Sequence, residues 1–338
     1  MPYSFHSHSG QFCKHAVGLL EDVVKEASDQ GFEIYGLTEH APRYRAKDLY
    51  PEEVDTSVEG LMSQFEAFLN EAHRLRNAYT SSLSLLVGLE TEYISPLDID
   101  GLSKLLDSHK GRIDYIIGSV HHVNGIPIDF DSNTYRRCLD SIPLPTHVTD
   151  PIHTDQEHER LGVFLDMYFD AQFELLSRFQ PELIGHVDLC RLYTPDLRLH
   201  AYSRAWNKLE RNVKFAVAYG ALFEVNAAAF RKGWRTAYPG DDVAQLIILC
   251  GGRFALSDDS HGPHAVGQNY GRTRDYLMHI RVRELWALER TEAPNTGGRY
   301  TRPVREVQAF LYSGADYGPL AQRHGTLSVR PPFRDFTI

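Results

Sequence analysis

The sequence predicts an α/β fold in which seven parallel strands, separated by helices, close into a barrel. Three observations predict it. Segments with helical apolar spacing alternate with short apolar runs along most of the 338 residues, and such alternation argues for parallel strands joined by helical crossovers. Seven units favour barrel closure over an open doubly wound sheet, and neither a GxGxxG after the first strand nor a GxxxxGK[ST] is present. Residue types that bind metals stand at the C-terminal end of every predicted strand, the face on which a parallel barrel builds its site.

The elements follow in order. PYSFH opens as the first strand. Residues 16–28 (AVGLLEDVVKEAS) repeat apolar positions at helical spacing, Gly31 follows as a stop, and IYGLT reads as a buried strand. A helix over about 52–79 leads into LSLLVGLETEY, and one near 101–109 leads into IDYIIGSV. Residues 157–179 precede PELIGHVDL, residues 202–219 precede ALFEVN, and residues 242–250 precede RFALS. Two regions break the rhythm. Residues 124–155, with GIPIDFD and three further prolines at 143, 145 and 151, read as an irregular loop over a site. Residues 1–290 form the predicted barrel domain, and residues 291–338, rich in Gly, Pro and Arg, read as a peripheral extension.

Composition narrows the function. Hydrophobic residues at 42% supply a packed core, and 35 Lys plus Arg against 45 Asp plus Glu give a net charge of −10. With no dense basic tract, nucleic acid held through counterion release is not the expected partner. No run approaches the ~20 apolar residues that span a bilayer. MPYSFHSHSG lacks the basic start and apolar run of a signal peptide. Cys13, Cys138, Cys190 and Cys250 form no CxxC pair, so reduced thiols in a cytoplasmic protein are expected. Oligomeric state is not readable. The unusual count is 17 histidines.

Their placement carries the chemistry. His6 and His8 follow the first strand, two residues apart and therefore on one face, with His15 just beyond. Glu39 and His40 close the second strand, Glu90 and Glu92 the third, His121 and His122 the fourth. His186 and Asp188 close the fifth, Glu224 and Asn226 the sixth, and SDDSH supplies Asp258, Asp259 and His261 after the seventh. A lone buried histidine is ordinarily a hydrogen-bonded core residue, and an isolated HxH says little. A ligand-type residue at the end of seven separate strands is not what core packing produces. The set is nitrogen and carboxylate oxygen without thiolate, suited to zinc, manganese or ferrous iron rather than calcium. It exceeds the three or four ligands of one catalytic zinc, so two or three divalent ions sharing carboxylates are expected.

These motifs, HSH at 6–8, TEH ending at His40, GLE at Glu90, GSVH at His121, GH at His186 and DSH at 259–261, resemble the polymerase-and-histidinol-phosphatase (PHP) superfamily in order and over residues 6–261. HSHSGQFCKHA, GSVHHVNGIPIDFD, EVN followed by RKG and YPG, and SDDSHGPHAVG make the match closer to its histidinol-phosphatase branch. The resemblance implies a distorted (β/α)7 TIM-like barrel with a trinuclear metal centre. It also implies hydrolysis of L-histidinol phosphate to L-histidinol and phosphate, a step of histidine biosynthesis. Carried over by position, the ligands are His6, His8, His15, His40, Glu90, His121, His186, Asp259 and His261. Asp258 and Glu92 remain alternatives to their neighbours.

The expected nucleophile is a metal-bridging hydroxide in line with phosphorus. Arg231 and Lys232, then Arg191 and Arg160, are candidate phosphate partners, with ordinary ion pairs as their competing role. His122, Asp258 and Glu39 are candidate acids for the leaving alkoxide, with support of a metal ligand as the competing role. Asp129 and Asp131 are candidate partners for the substrate's ammonium and imidazole, or solvated turn residues. The alternative activity is a PHP-type phosphoesterase acting on another small phosphate ester or a nucleotide.

Overall fold

The computed structural model describes residues 3–143 and 155–306. Its centre is a parallel seven-stranded sheet in sequence order, curled into a nearly closed barrel. The strands are β1 (Tyr3–Ser4), β2 (Ile34–His40), β3 (Ser84–Glu90), β4 (Tyr115–Gly118), β5 (Leu183–Ile184), β6 (Leu222–Asn226) and β7 (Arg253–Ser257). Among the described residues no ladder joins β1 to β7. Two other links close the seam: a short parallel pairing of Ser7–His8 with Ser260–His261, and a hydrogen bond from Ser4 Oγ to Asp258 Oδ1 at 2.9 Å.

Helices cover the outside. The first, Leu20–Asp29, starts later than the apolar spacing suggests, because the Val17 amide bonds the His261 carbonyl and Gly18 takes φ +79°. It buries Leu20, Val23, Val24 and Ala27, the i, i+3, i+4, i+7 stripe of an amphipathic helix. The second, Val58–Ala78, begins at Ser57, whose hydroxyl accepts from the Gly60 amide. The third, Pro96–Ser108, begins five residues before the predicted start, with Pro at its first position, where a missing N–H costs nothing. Gln156–Phe179, Ser203–Tyr219 and Asp241–Leu249 lie within a residue of their predicted bounds.

Tyr115 fills the barrel interior. Its side chain is fully buried and its hydroxyl donates to the Phe5 carbonyl at 2.6 Å. Two neighbouring strands make room for it with glycine: a Cβ at Gly36 would lie 2.0 Å from the Tyr115 hydroxyl, and one at Gly88 2.8 Å from its ring.

Residues 124–143 correct the irregular-loop reading. Asn124 and Gly125, both at positive φ, turn His122–Val123 back against Ile126–Pro127, the Asn-Gly hairpin geometry. A helix, Ser132–Ser141, follows, capped by Asp131, whose carboxylate accepts from the Thr134 amide. It buries Thr134, Tyr135, Cys138 and Leu139, a helical stripe hidden by its polar neighbours. Asp131 thus caps this helix through one carboxylate oxygen. The stretch 144–154 lies outside the described residues.

Beyond the seventh unit, Leu285–Arg290 pairs antiparallel with Thr301–Glu306, so the expected boundary at 290 falls inside a hairpin. Arg299 and Asn295 bond Glu182, and Thr301 bonds the Asp114 carbonyl, both just before barrel strands begin. The hairpin therefore braces the end of the barrel opposite the histidines. Residues 307–338 of the predicted extension lie outside the described residues. No helix among those described is long and apolar enough to cross a membrane.

Candidate metal centre

Glu90, the last residue of β3, stands at the middle of the clustered side chains and is buried. One carboxylate oxygen, Oε2, lies 3.2 Å from His6 Nε2, 3.3 Å from His8 Nε2 and 3.2 Å from His40 Nδ1. The other, Oε1, lies 3.2 Å from His121 Nε2 and 2.9 Å from His186 Nε2. The carboxylate thus divides the imidazoles into two groups and touches both. Asp259 Oδ1 faces the first group, 3.8 Å from both His6 Nε2 and His8 Nε2 and 3.6 Å from His261 Nδ1. Glu92 reaches a different edge, 3.1 Å from His40 Nδ1 and 3.6 Å from both His121 and His122.

The backbone explains why these atoms meet. Parallel strands carry their C-terminal ends to one face, and β2, β3 and β4 run side by side in register, with His40 opposite Glu90. At the seam, Asp259 adopts φ +47°, which breaks strand alternation and turns it away from its neighbour. Asp258 consequently points into the core, where Ser4 Oγ, Tyr35 Oη and the amides of Gly267 and Ser260 bond its carboxylate.

Supporting contacts hold the rings. Glu224 accepts from His6 Nδ1 at 3.1 Å and from the His186 amide. Asn226 Nδ2 links Glu224 to Asp259 at 2.9 and 3.2 Å. Glu39, fixed by the Ser9 amide and hydroxyl, lies 3.5 Å from His8 Nδ1. Orienting a ring through its far nitrogen is the usual arrangement around a metal-ligating histidine.

The electrostatics are those of a site waiting for positive charge. Burial works to lower His6, yet Glu90, Asp259 and Glu224 outweigh it and raise the ring well above its ordinary pKa. For His8, burial again opposes, and Glu39 and Glu90 lift it to about 9. Burial and the neighbouring His8 hold His40 down to about 4. Glu90 and Glu92 resist burial because the surrounding histidines keep them well below the carboxylate range. Several buried atoms also lack a hydrogen bond: both nitrogens of His40, Nδ1 of His8, His121 and His186, and both oxygens of Glu92. Buried polar atoms are rarely left so. Five triads here place ligand atoms within 4.8 Å of one another, among them His6–His8–Glu90, His8–Asp259–His261 and Glu90–His121–His186. Four of the five consist of imidazole and carboxylate, and the fifth joins Cys13 to His8 and His40; such donors fit divalent ions.

His15 sits apart at the rim, 41% exposed, its ring centroid 5.4 Å from His40 and 5.1 Å from His261. Other predicted residues are elsewhere. All five N–H groups of Arg191 are committed, to Asp188, Asp242 and the Leu197 carbonyl, which corrects its assignment as a phosphate partner. Arg160 bonds the Asp140 carbonyl through one nitrogen. Arg231 and Lys232 are exposed just beyond β6, and the Arg231 charge is felt at His261. Asp129 keeps a buried oxygen without a partner, and its charge is felt by Tyr50 and His122. Among the candidate acids, burial lowers His122 to about 4, and Glu39 is occupied by Ser9 and His8.

Burial raises Asp258 to about 6, but it lies beneath the histidines rather than among them. This corrects its reading as an acid or alternative ligand and has a measurable consequence. Asp258→Ala leaves Ser4 and Tyr35 without their acceptor and is expected to cost about 3 kcal/mol in urea unfolding. Metal content of the folded variant should match the wild type. An undiminished midpoint with lost turnover would restore the catalytic role.

Arg43 was not legible in the sequence, since it lies three residues past a strand end. It is buried, paired with Glu53, 3.7 Å from Glu92 and 4.7 Å above the Tyr50 ring, with Nε and Nη1 lacking hydrogen bonds.

A parallel barrel with histidines and carboxylates gathered at its C-terminal mouth is the architecture of a metal-dependent hydrolase. Residues 4–228 match the PHP domain family. A probable histidinol-phosphatase of Schizosaccharomyces pombe is 43% identical over 307 residues, covering 90% of this chain and 94% of that protein. The histidinol-phosphatase of Saccharomyces cerevisiae is 29% identical over 326 residues, 86% of this chain and 93% of that one. In fold, the chain is similar to a histidinol phosphate phosphatase of Lactococcus lactis solved with zinc, L-histidinol and phosphate. That likeness has a TM-score of 0.59 at 18% identity and covers 89% of this chain and 100% of the other. The chain belongs to the PHP family, in its histidinol-phosphatase branch.

Proposed function

We infer that the chain hydrolyses L-histidinol phosphate to L-histidinol and phosphate. The observation that carries this is the Glu90-centred cluster at the barrel mouth, in a chain 43% identical to a probable histidinol-phosphatase. The zinc, L-histidinol and phosphate bound by the Lactococcus protein support the same reading.

His6, His8, Glu90 and Asp259 would hold one ion, Glu90, His121 and His186 a second, and His40, His15 and His261 a third, with zinc, manganese or ferrous iron suited to the donors. Bound there, divalent ions acidify water and neutralise the phosphate oxygens. Glu224 and Glu39 keep His6 and His8 turned inward. Arg231, at the mouth, meets the phosphate from solvent, and Lys232 adds charge beside it. The exposed oxygen-rich side of the substrate thus faces cations. Asp129 meets the ammonium or imidazole of histidinol, since an unpartnered carboxylate oxygen gains most from a cationic donor. His122, beside Glu92, would relay the proton given up by the attacking water to the leaving oxygen of histidinol.

The test is phosphate release from L-histidinol phosphate against nucleotides and sugar phosphates, with metal counted on the same sample. Histidinol phosphate should lead in kcat/KM by at least about a hundredfold, as a site with a buried unpaired acceptor discriminates against substrates that leave it unmet. A preparation carrying two or more metals per chain yet inert toward histidinol phosphate would rule the substrate out and leave the fold standing.

A further inference from the structure

The segment HSHSGQFCKHA brings a second residue to the centre besides its histidines. After His8 the chain turns back on itself: the amides of Phe12 and Cys13 both bond the Ser9 carbonyl, and the Ala16 amide bonds that of Cys13. This turn tucks the Cys13 thiol inward, 6% exposed, and leaves His15 at the rim. Cys13, His8 and His40 each offer a ligand atom within 4.8 Å of the other two, whereas His15 joins no such group among the described residues.

The neighbours of the thiol are short of partners. His40 Nε2 makes no hydrogen bond, while His8 Nδ1 has only a long 3.5 Å contact with Glu39 and His40 Nδ1 faces Glu90 and Glu92. A small cavity of about 30 Å³ opens at this point, lined by Cys13, His15, Glu39, His40, Arg43 and Glu53 among others. His15 Nε2 lies 3.1 Å from the sulfur, so thiol and ring converge on the same space, while His15 Nδ1 faces Glu52 at 3.4 Å. Cys138 and Cys190 are buried away from these groups, beside Val123 and Asp188.

We propose that Cys13 is a metal ligand, its sulfur joining His40 on the ion nearest the pocket. This rests on the metal-centre reading above and adds a soft donor to a set otherwise made of imidazole and carboxylate. A thiolate at one position favours zinc over manganese there, which gives that ion a different identity from its neighbours.

Cobalt(II) tests the assignment without reference to turnover. The chain is stripped with chelator, reloaded with cobalt and its metal counted. Wild type should show a near-ultraviolet sulfur-to-cobalt charge-transfer band that Cys13→Ser abolishes and that Cys250→Ser, at a thiol remote from the centre, retains. In parallel, alkylation of Cys13, followed by peptide mapping, should slow roughly tenfold or more on metal loading. Full cobalt occupancy with no such band, and Cys13 alkylated equally fast with and without metal, overturns the proposal while leaving the metal centre intact. If Cys13→Ser fails to fold, the wild-type band and the alkylation rates decide alone. Failure of the wild type to hold cobalt overturns both readings, and is thereby distinguished from failure of the cysteine alone.

Discussion

Glu90→Gln is expected to lose turnover by about a thousandfold or more while the barrel remains folded. One carboxylate faces five imidazole nitrogens, through Oε2 toward His6, His8 and His40 and through Oε1 toward His121 and His186. The amide matches its size but removes the charge and replaces one acceptor with a donor that meets imidazole nitrogens poorly. Loss of several kcal/mol of transition-state stabilisation corresponds to about three decades at 1.36 kcal/mol per decade. Metal content, measured on the same preparation, should fall together with activity, because Glu90 faces both groups. Glu92→Gln is the comparison: Glu92 stands at the edge formed by His40, His121, His122 and Arg43 and pairs with none of His6, His8 or His186, so its loss should be smaller. Equal metal content and equal activity in Glu90→Gln and wild type would show that the centre is assigned to the wrong carboxylate.

The largest stability effect is expected at Tyr115. Tyr115→Ala empties the barrel interior at a place where Gly36 and Gly88 have no side chains to move in, and should cost about 3–5 kcal/mol in denaturant unfolding. Tyr115→Phe removes only the hydroxyl that donates to the Phe5 carbonyl and should cost about 1 kcal/mol. Phe5 is the residue before His6, so the milder variant also tests whether this bond sets the position of the first histidine. A metal dissociation constant that rises in Tyr115→Phe, with the fold intact, would establish that link. If Tyr115→Ala unfolds at the wild-type midpoint, the interior is not packed as described.

Much of this fold can be read in advance because its apolar patterns are strong. Helices such as 156–179 and 203–219 have long amphipathic stripes, and the strands between them are short and apolar. Starts were harder to read where a tertiary contact overrides the local pattern, as the Val17–His261 bond does for the first helix. The hairpin at Asn124-Gly125 had its signal in that dipeptide, but the loop's polarity and prolines hid the helix after it. In the site, alternation aims Glu90 and Glu92 the same way, so only distances tell which stands at the centre. Asp258 and Asp259 diverge because of one positive φ, which no side-chain spacing reveals. Strand ends do not reveal Arg43 or a ligand role for Cys13, since each reaches the centre from a turn.

The seam between the first and last strands also bears on how the protein is made. Ser7–His8 pairs with Ser260–His261, and Asp259 faces His6 and His8 across that join. A ribosome extends the chain from its N-terminus, so His6 and His8 emerge some 250 residues before their partners. During that interval the sheet can grow strand by strand, but its opening histidines have no opposite wall. Metal retention should therefore arise late in synthesis, after the SDDSH segment has cleared the exit tunnel. Nascent chains stalled before Asp259 should release cobalt or zinc readily, and those stalled well beyond it should keep the ions. The acquisition of tightly held metal should thus mark the completion of the barrel.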